Sequence, residues 1–395
     1  MLTLVLLAGL AVASLNLFVP SLGSIAAGLD ADYSLVSLSV AGYLAVTAVL
    51  QLVMGPLSDR FGRRPVMLAA LALFVAASIG CMLAADIVTF LAFRMLQAVI
   101  ISGWALSMAI IRDTTPEREA ASLIGYVAMA MALGPMLAPM LGGMLDELFG
   151  WRSSFLVFAA LGAALFTLCW LDLGETNRNR SKTFSDQFRS YPELFRSGRF
   201  WGYALCMMFS TGTFYVFLAA APLVAARILE VSPGQLGFAM GTITGGFLLG
   251  SYIAGRRARH HAPAIMMIAG RLVASAGLFA GLMLFVAGVV HPLSLFGSTV
   301  FAGLGNGLTM PSANAGALSV RPELAGTASG LAGALTVGGG AALTFVIGAS
   351  LTEEAGAYQL LGTMLLSSLM ALAAALYVLA IDRRERRAAA AGADG

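Results

Sequence analysis

The sequence is poor in charge. Of its 395 residues only 11% are Asp, Glu, Lys or Arg, against 59% hydrophobic, and a soluble domain ordinarily carries about 25% charged residues. A water-soluble fold of this length has no interior large enough to hide that much apolar surface, so a bilayer must be part of the solvent. Cysteine is scarce too: Cys81, Cys169 and Cys206 fall at unrelated spacings inside apolar runs and read as small buried hydrophobes. The three histidines have no metal-ligand spacing, and His260 and His261 are adjacent in a basic loop. No phosphate-cradling loop, nucleophile elbow or zinc motif is recognisable. Neither an enzyme nor a metal or cofactor site is therefore expected. The formal net charge of +3 says little about partners, and no nucleic acid is expected among them. Ahead of the first apolar run no basic region or cleavage site stands out, so a removable signal peptide is not expected.

What is present is hydrophobic length. A helix needs about 20 mainly apolar residues to cross the hydrocarbon layer. Twelve runs meet that need: 3–26, 34–54, 65–84, 88–111, 121–145, 153–172, 201–223, 235–255, 264–289, 292–317, 325–349 and 357–381. All read as helices, because isolated strands cannot satisfy their backbone in lipid. The 45 glycines fit helices that approach one another closely there.

Arginine and lysine orient the chain. One set of loops holds Arg60, Arg63, Arg64, Arg112, Arg118, Arg256, Arg257, Arg259 and Arg321, and the Arg-rich linker and tail lie on the same side. The other side has Arg152 and Arg227 beside Asp30, Asp32, Asp86, Asp146, Glu147 and Glu230. A multi-pass protein of the inner (cytoplasmic) membrane with both termini cytoplasmic is expected.

The long hydrophilic stretch 173–200 divides the chain into a six-helix half 1–172, a cytoplasmic linker 173–200 that is partly helical, a second half 201–382, and a disordered tail 383–395. An internal repeat supports two halves. Gly55 opens GPLSDRFGRRP, and Gly250, 195 positions on, opens a worn copy of it. Gly142-Gly143 in span five precedes Gly338-Gly339-Gly340 in span eleven by a similar offset.

A two-half bundle places its solute between the halves near the midplane, so polar residues inside spans are the candidates. Arg94 in span four is costly in lipid, by a few kcal/mol. A functional or gating role is expected for it, against outward snorkelling, with Gln97 on the same helical face. Arg271 lies about two turns into span nine and is expected to snorkel to the inner surface. Asn16, Gln51 and Asn306 read equally well as cavity lining or as helix–helix hydrogen bonds. Tyr43, Trp104, Tyr126, Phe214 and Tyr215 are candidate aromatic walls. Gly134, Pro135, Pro139, Gly142 and Gly143 crowd span five with residues that kink a helix or admit a neighbour.

This pattern resembles the major facilitator superfamily over essentially the whole chain. The loop after span two matches that family's G-x-L-x-D-R-x-G-R-R through Gly55, Leu57, Asp59, Arg60, Gly62, Arg63 and Arg64. Arg94 with Gln97 is similar to its span-four motif, with Ala98 where a glycine is usual. Gly134-Pro135 through Gly142-Gly143 is similar to the span-five motif of its drug:proton antiporters. Finer features resemble the bicyclomycin-resistance (Bcr/CflA) group: Leu15 to Pro20, Ile111-Arg112-Asp113, Gly150-Trp151-Arg152, Ala221-Pro222-Leu223 and Val231-Ser232-Pro233.

The resemblance implies an all-α integral membrane fold of twelve helices in two pseudo-symmetric halves. It implies a monomeric exporter of drug-like or small metabolite solutes by alternating access, with protons as the counter-substrate. The loop Gly55–Arg64, with Arg112 and Asp113, would be an inner latch, Asp59 facing the start of span eleven or pairing with Arg63 or Arg112. One departure weighs against proton coupling through span one: relatives usually have an aspartate at the position of Asn16, and asparagine cannot titrate. A facilitator or importer of a small neutral or anionic metabolite is therefore the alternative. A non-transporting receptor is disfavoured, having no use for a latch or a broken span five.

Overall fold

The computed structural model describes residues 2–114, 117–176, 194–257, 261–321, 324–352 and 355–393. Every regular element among them is helical, in keeping with the apolar runs. In chain order they are α1 (Leu2–Asn16), a 3-10 turn (Val19–Ser21), α2 (Leu22–Gly28), α3 (Tyr33–Phe61), α4 (Arg63–Leu83), α5 (Ile87–Gln97), a second 3-10 turn (Ala98–Ile100), α6 (Ile101–Thr114), α7 (Glu117–Phe149) and α8 (Arg152–Asp172). After the linker come α9 (Gly198–Arg227), α10 (Pro233–Arg257), α11 (Pro263–Val286), α12 (Pro292–Ser319), α13 (Ala325–Ser350) and α14 (Gly356–Ala393).

Among the described residues, ten segments are long and apolar enough to cross a membrane. The two expected runs outside that set form α7 and α12. Serine, threonine and asparagine dilute the hydropathy of α12, yet Ser294, Ser298, Thr299, Asn306, Thr309 and Ser312 are all buried. That helix faces protein rather than lipid, so it has less need of a continuously apolar surface.

The ends and breaks of the helices have local causes. Pro20 has no N–H, so the carbonyl four residues earlier, on Asn16, loses its helical partner and α1 stops there. Asp86 caps α5 by accepting from the Thr89 amide at 2.8 Å and hydroxyl at 2.7 Å, which holds its carboxyl below the usual range. Ser232 and Gln235 cap α10 reciprocally: the Gln235 amide donates to the Ser232 hydroxyl at 3.3 Å, and the Ser232 amide donates to the Gln235 side chain at 3.2 Å. Between α3 and α4 a single residue, Gly62, turns the chain at φ +101°, a conformation that disfavours any side chain.

Residues 383–393, expected as a disordered tail, instead continue α14 as helix through Ala393. Arginine, glutamate and alanine are good helix formers. Arg199 of α9 also pairs with Asp382 at 3.0 Å and Glu385 at 3.1 Å. The linker residues 177–193 lie outside the described residues.

Packing rests on backbone-to-backbone approach. α10 and α12 touch where a Cβ on Gly303 would come within 1.9 Å of the Ile243 carbonyl oxygen, and one on Gly307 within 2.2 Å of that of Phe247. α12 meets α11 at Gly305, within 2.3 Å of the Gly270 oxygen by the same measure. The first six spans meet the last six along α7 against α10 and α3 against α13. Small residues are what let helices associate at this range in lipid.

Gly303→Val should therefore separate α10 from α12. The expected loss is about 1–3 kcal/mol for overpacking, read as a lower melting temperature of the detergent-purified protein; Gly330→Val, with no atom within 4 Å of its Cβ position, should melt close to the parent.

Candidate functional site

The break in the first span sets the geometry around Arg94. Because α1 ends at Asn16, the Ser14 carbonyl falls in the last turn and has no amide of its own helix to accept from. Arg94 supplies the missing donor: its Nη2 reaches the Ser14 oxygen at 2.9 Å and its Nη1 reaches Gln97 Oε1 at 2.8 Å. Gln97 Nε2 donates on to Ser78 Oγ at 2.8 Å, and Ser78 donates to the Phe74 carbonyl at 2.7 Å. The guanidinium carbon lies 4.1 Å from the ring centres of both Phe18 and Tyr43, and the Tyr43 hydroxyl is 3.0 Å from Ser14 Oγ. Arg94 is 0% exposed. It is held inside the protein by neutral acceptors and two aromatic faces, not snorkelling to a membrane surface.

Arg271 corrects an expectation. It does not snorkel; it is 0% exposed, donating through Nε to Thr309 Oγ1 at 3.0 Å and through Nη2 to Asn306 Oδ1 at 2.7 Å. Asn306 thus makes a helix–helix hydrogen bond, one of the two roles open to it. The position in the sequence, near a span end, gave no sign that α12 would offer two acceptors at that depth. Asn16 is buried as well, with Nδ2 bonded to the Val12 carbonyl at 2.8 Å and Oδ1 without a protein partner.

The loop after α3 is tied down from several directions. Asp59 pairs with Arg63 at 2.7 Å, and Arg63 also donates to Ser58. The Arg63 amide, in the first turn of α4, donates to Glu175 at 3.0 Å. Arg64 donates to the Trp170 carbonyl at 2.8 Å and sits 5.5 Å from that ring's centre. Arg60 lies 5.4 Å from the ring of Phe61. Glu175 was missed in the sequence, where it reads only as one more linker charge. The surroundings of Gly55, the side chains of Arg112, Asp113 and Tyr126, and residues 322–323 ahead of α13 lie outside the described residues.

The glycines of α7 sit at two interfaces. A Cβ on Gly142 would come within 1.5 Å of the Leu17 carbonyl oxygen, at the break of span one. One on Gly143 would come within 2.2 Å of the Pro233 oxygen at the start of α10, and one on Gly237 within 2.2 Å of that of Pro139. Gly134 faces Val12, and Pro135 and Pro139 lie inside the helix. At the same end of the molecule, which carries Asp30, Asp32 and Asp146, hydrogen bonds join the halves. Tyr33 donates to the Ala219 carbonyl at 2.7 Å and Ser232 donates to Glu147 at 3.4 Å. A cavity of about 850 Å³ lies beside this contact, its lining including Asp30, Asp32, Tyr33, Pro222, Arg227 and Leu236. Tyr33 had no sequence signal, since its partner is a backbone atom 186 positions away.

The remaining candidates are half-buried in different helices. Gln51 on α3 faces Gly333 of α13, and Tyr215 packs on Gly340 with Phe214 at a centroid distance of 5.9 Å. Trp104 lies on α6. Thus Arg94, Gln97 and Tyr43 come together in one network and Asp59, Gly62, Arg63 and Arg64 in another. Asn306 is brought to Arg271 instead.

The profile of the Major Facilitator Superfamily matches residues 4–343 and, in a second match, 203–394. The chain is 31% identical over 330 residues to the uncharacterized MFS-type transporter YdgK of Bacillus subtilis, covering 82% of this chain and 81% of that one. It is 30% identical over 324 residues to the multidrug resistance protein MdtL of Escherichia coli, covering 81% of each. Among solved structures, a peptide transporter POT superposes with a TM-score of 0.80 at 15% identity over 97% of this chain and 94% of that one. A D-xylose–proton symporter does so with a TM-score of 0.77 at 18% identity, over 95% and 96%.

Removing an acceptor from a buried guanidinium should cost more than removing the guanidinium. Asn306→Ala should lower stability by about 1.5–3 kcal/mol, the range for a hydrogen bond to a charged group, whereas Arg271→Met, which leaves no charge behind, should melt at a higher temperature than Asn306→Ala. Thermal unfolding of the purified proteins checks the order.

Proposed function

The chain belongs to the Major Facilitator Superfamily, and we propose that it exports drug-like or small metabolite solutes by alternating access, in exchange for protons. That it is a multi-pass membrane transporter of small solutes follows from the family and fold. Export is supported by the relative MdtL, named as a multidrug resistance protein. Within the family we assign the chain to the bicyclomycin-resistance group, on the residues of span one, the Gly150-Trp151-Arg152 turn and the Ala221-Pro222-Leu223 run.

The observation that carries alternating access is the clasp at the acid-bearing end. Tyr33 with Ala219, Ser232 with Glu147, and the backbone approaches at Gly143 and Gly237 all join the halves there. On this reading that end faces outward, both termini are cytoplasmic, and the structure is the state closed to the outside. Residues 1–172 and 201–382 rock as two bodies about a central site, joined by the linker 173–200, in a monomer of the cytoplasmic membrane. The loop Gly55–Arg64 is the latch of the opposite end, strained or released as the halves rock. Its Asp59–Arg63 pair is an exchangeable contact. Arg94, fixed beside the break in α1, would couple movement of that break to the cavity. Gln97 and Tyr43 set the guanidinium in place.

A second reading has one observation in its favour. Asn16 occupies the position where an exchangeable carboxylate is usual, and its Oδ1 is buried without a protein partner. A facilitator or importer of a neutral or anionic metabolite needs no titrating group in span one.

Expression in a drug-susceptible host should raise tolerance to at least one compound of a broad antibiotic panel. Asp59→Asn and Arg94→Ala should each abolish that gain at normal expression. In reconstituted vesicles, an imposed pH gradient should drive solute accumulation and the solute should move protons. Equilibration that ignores the gradient would sink the antiport reading and favour the facilitator.

A further inference from the structure

Span seven contains a proline inside its helix, five residues before the end. Pro222 in α9 lacks an N–H, so the carbonyl four residues earlier, on Leu218, loses its helical donor and the ladder is interrupted beside Ala219. Ala219 lies three residues before Pro222. Its carbonyl accepts from the hydroxyl of Tyr33, 2.7 Å away on the first turn of α3, in the other half of the molecule. The Leu223 N–H, one residue past the proline, faces the same hydroxyl. The tyrosine thus places its one polar atom on the backbone of a helix to which it has no chain connection nearby. The floor of the adjoining cavity includes Leu236 of α10, which is 2% exposed.

This placement suits a catch better than a strut. A phenol has a single donor, and a carbonyl oxygen has two lone pairs, so Ala219 can accept it beside a helical donor. Making the bond costs no ladder bond that has to be remade when the halves part. The second bond across the halves at this end, Ser232 to Glu147, is longer at 3.4 Å.

We infer that Tyr33 is a positioning residue of the transport cycle: its hydroxyl catches the Ala219 carbonyl of α9 and holds the acid-bearing end of the molecule shut. The inference rests on the alternating-access reading but is independent of what is carried. Loss of the hydroxyl biases the protein toward the state open at that end. The ring remains packed and the fold remains intact.

A buried reporter at the cavity floor reads this directly. Leu236→Cys is introduced into the otherwise native protein, purified in detergent so that both ends are open to reagent, and its labelling by a soluble maleimide is timed. A neutral hydrogen bond contributes about 0.5–1.5 kcal/mol, so adding Tyr33→Phe should speed labelling about 2- to 10-fold. Tyr33→Leu, which removes the ring as well, is the second variant and should label at least as fast. The native Cys81 and Cys206, each 0% exposed and one in either half, report on general loosening and should stay unlabelled. Two results overturn the catch: labelling of the Leu236→Cys reporter at the parent rate in either folded variant, or a parallel rise at Cys81 and Cys206. A failed drug panel would overturn the export reading without touching this measurement.

Discussion

A carbonyl or a guanidinium inside the hydrocarbon layer has no water to turn to, and must find its partner in the protein. That constraint, met at the break in the first span, organises the N-terminal half. Pro20 stops α1 and leaves the carbonyls of its last turn open. Arg94 then has an acceptor in Ser14, and Gln97, Ser78, Phe18 and Tyr43 complete its surroundings. The Leu17 carbonyl projects from the same break, and only a residue without a side chain fits against it, which is Gly142. One proline thereby fixes what spans four and five must present.

The same logic recurs where the halves meet. Tyr33 donates to a carbonyl of α9 near Pro222, as Arg94 donates to one of α1 near Pro20. In each case a side chain from elsewhere bonds the backbone of a helix that a proline ends or interrupts. A carbonyl oxygen has two lone pairs, so such a contact can be exchanged without unfolding a helix. The glycine approaches beside them, at Gly143 and Gly237, are of a different kind: they set how near α7 and α10 can come, and bring no bond that must be broken on opening. A clasp built of hydrogen bonds at its edge and a smooth contact surface suits bodies that separate and return.

The helical character and order of the apolar runs, the loop after α3 and the breakers in α7 were legible in the sequence because each rests on local pattern: run length, charge and the chemistry of glycine and proline. Legibility failed where a partner is a backbone atom or lies far along the chain. Arg271 looked close enough to a surface to snorkel, but Asn306 and Thr309, one turn apart on α12, give it two acceptors inside. Glu175 looked like a solvated linker charge until it met the Arg63 amide. The tail beyond Asp382 looked too polar for order, and composition alone could not reveal that Arg199 would pair with Asp382 and Glu385 at its start. Tyr33 carried no pattern at all. Backbone carbonyls freed by proline are readable as places where a donor is needed, but not as a choice of donor.

Asn16 joins the two themes. Its Nδ2 donates to the Val12 carbonyl, one turn back at the end of α1. An ionised carboxylate at this position can only accept, so it could not make that bond; a protonated one could, through its O–H. Asparagine therefore reproduces, at every pH, the hydrogen bonding of the protonated acid. The first span is set in the arrangement that an aspartate would reach only after taking up a proton. The proton exchange proposed above therefore needs a group other than residue 16, and a buried acid stands beside the clasp: Asp146, which accepts from Ser24 at 2.6 Å.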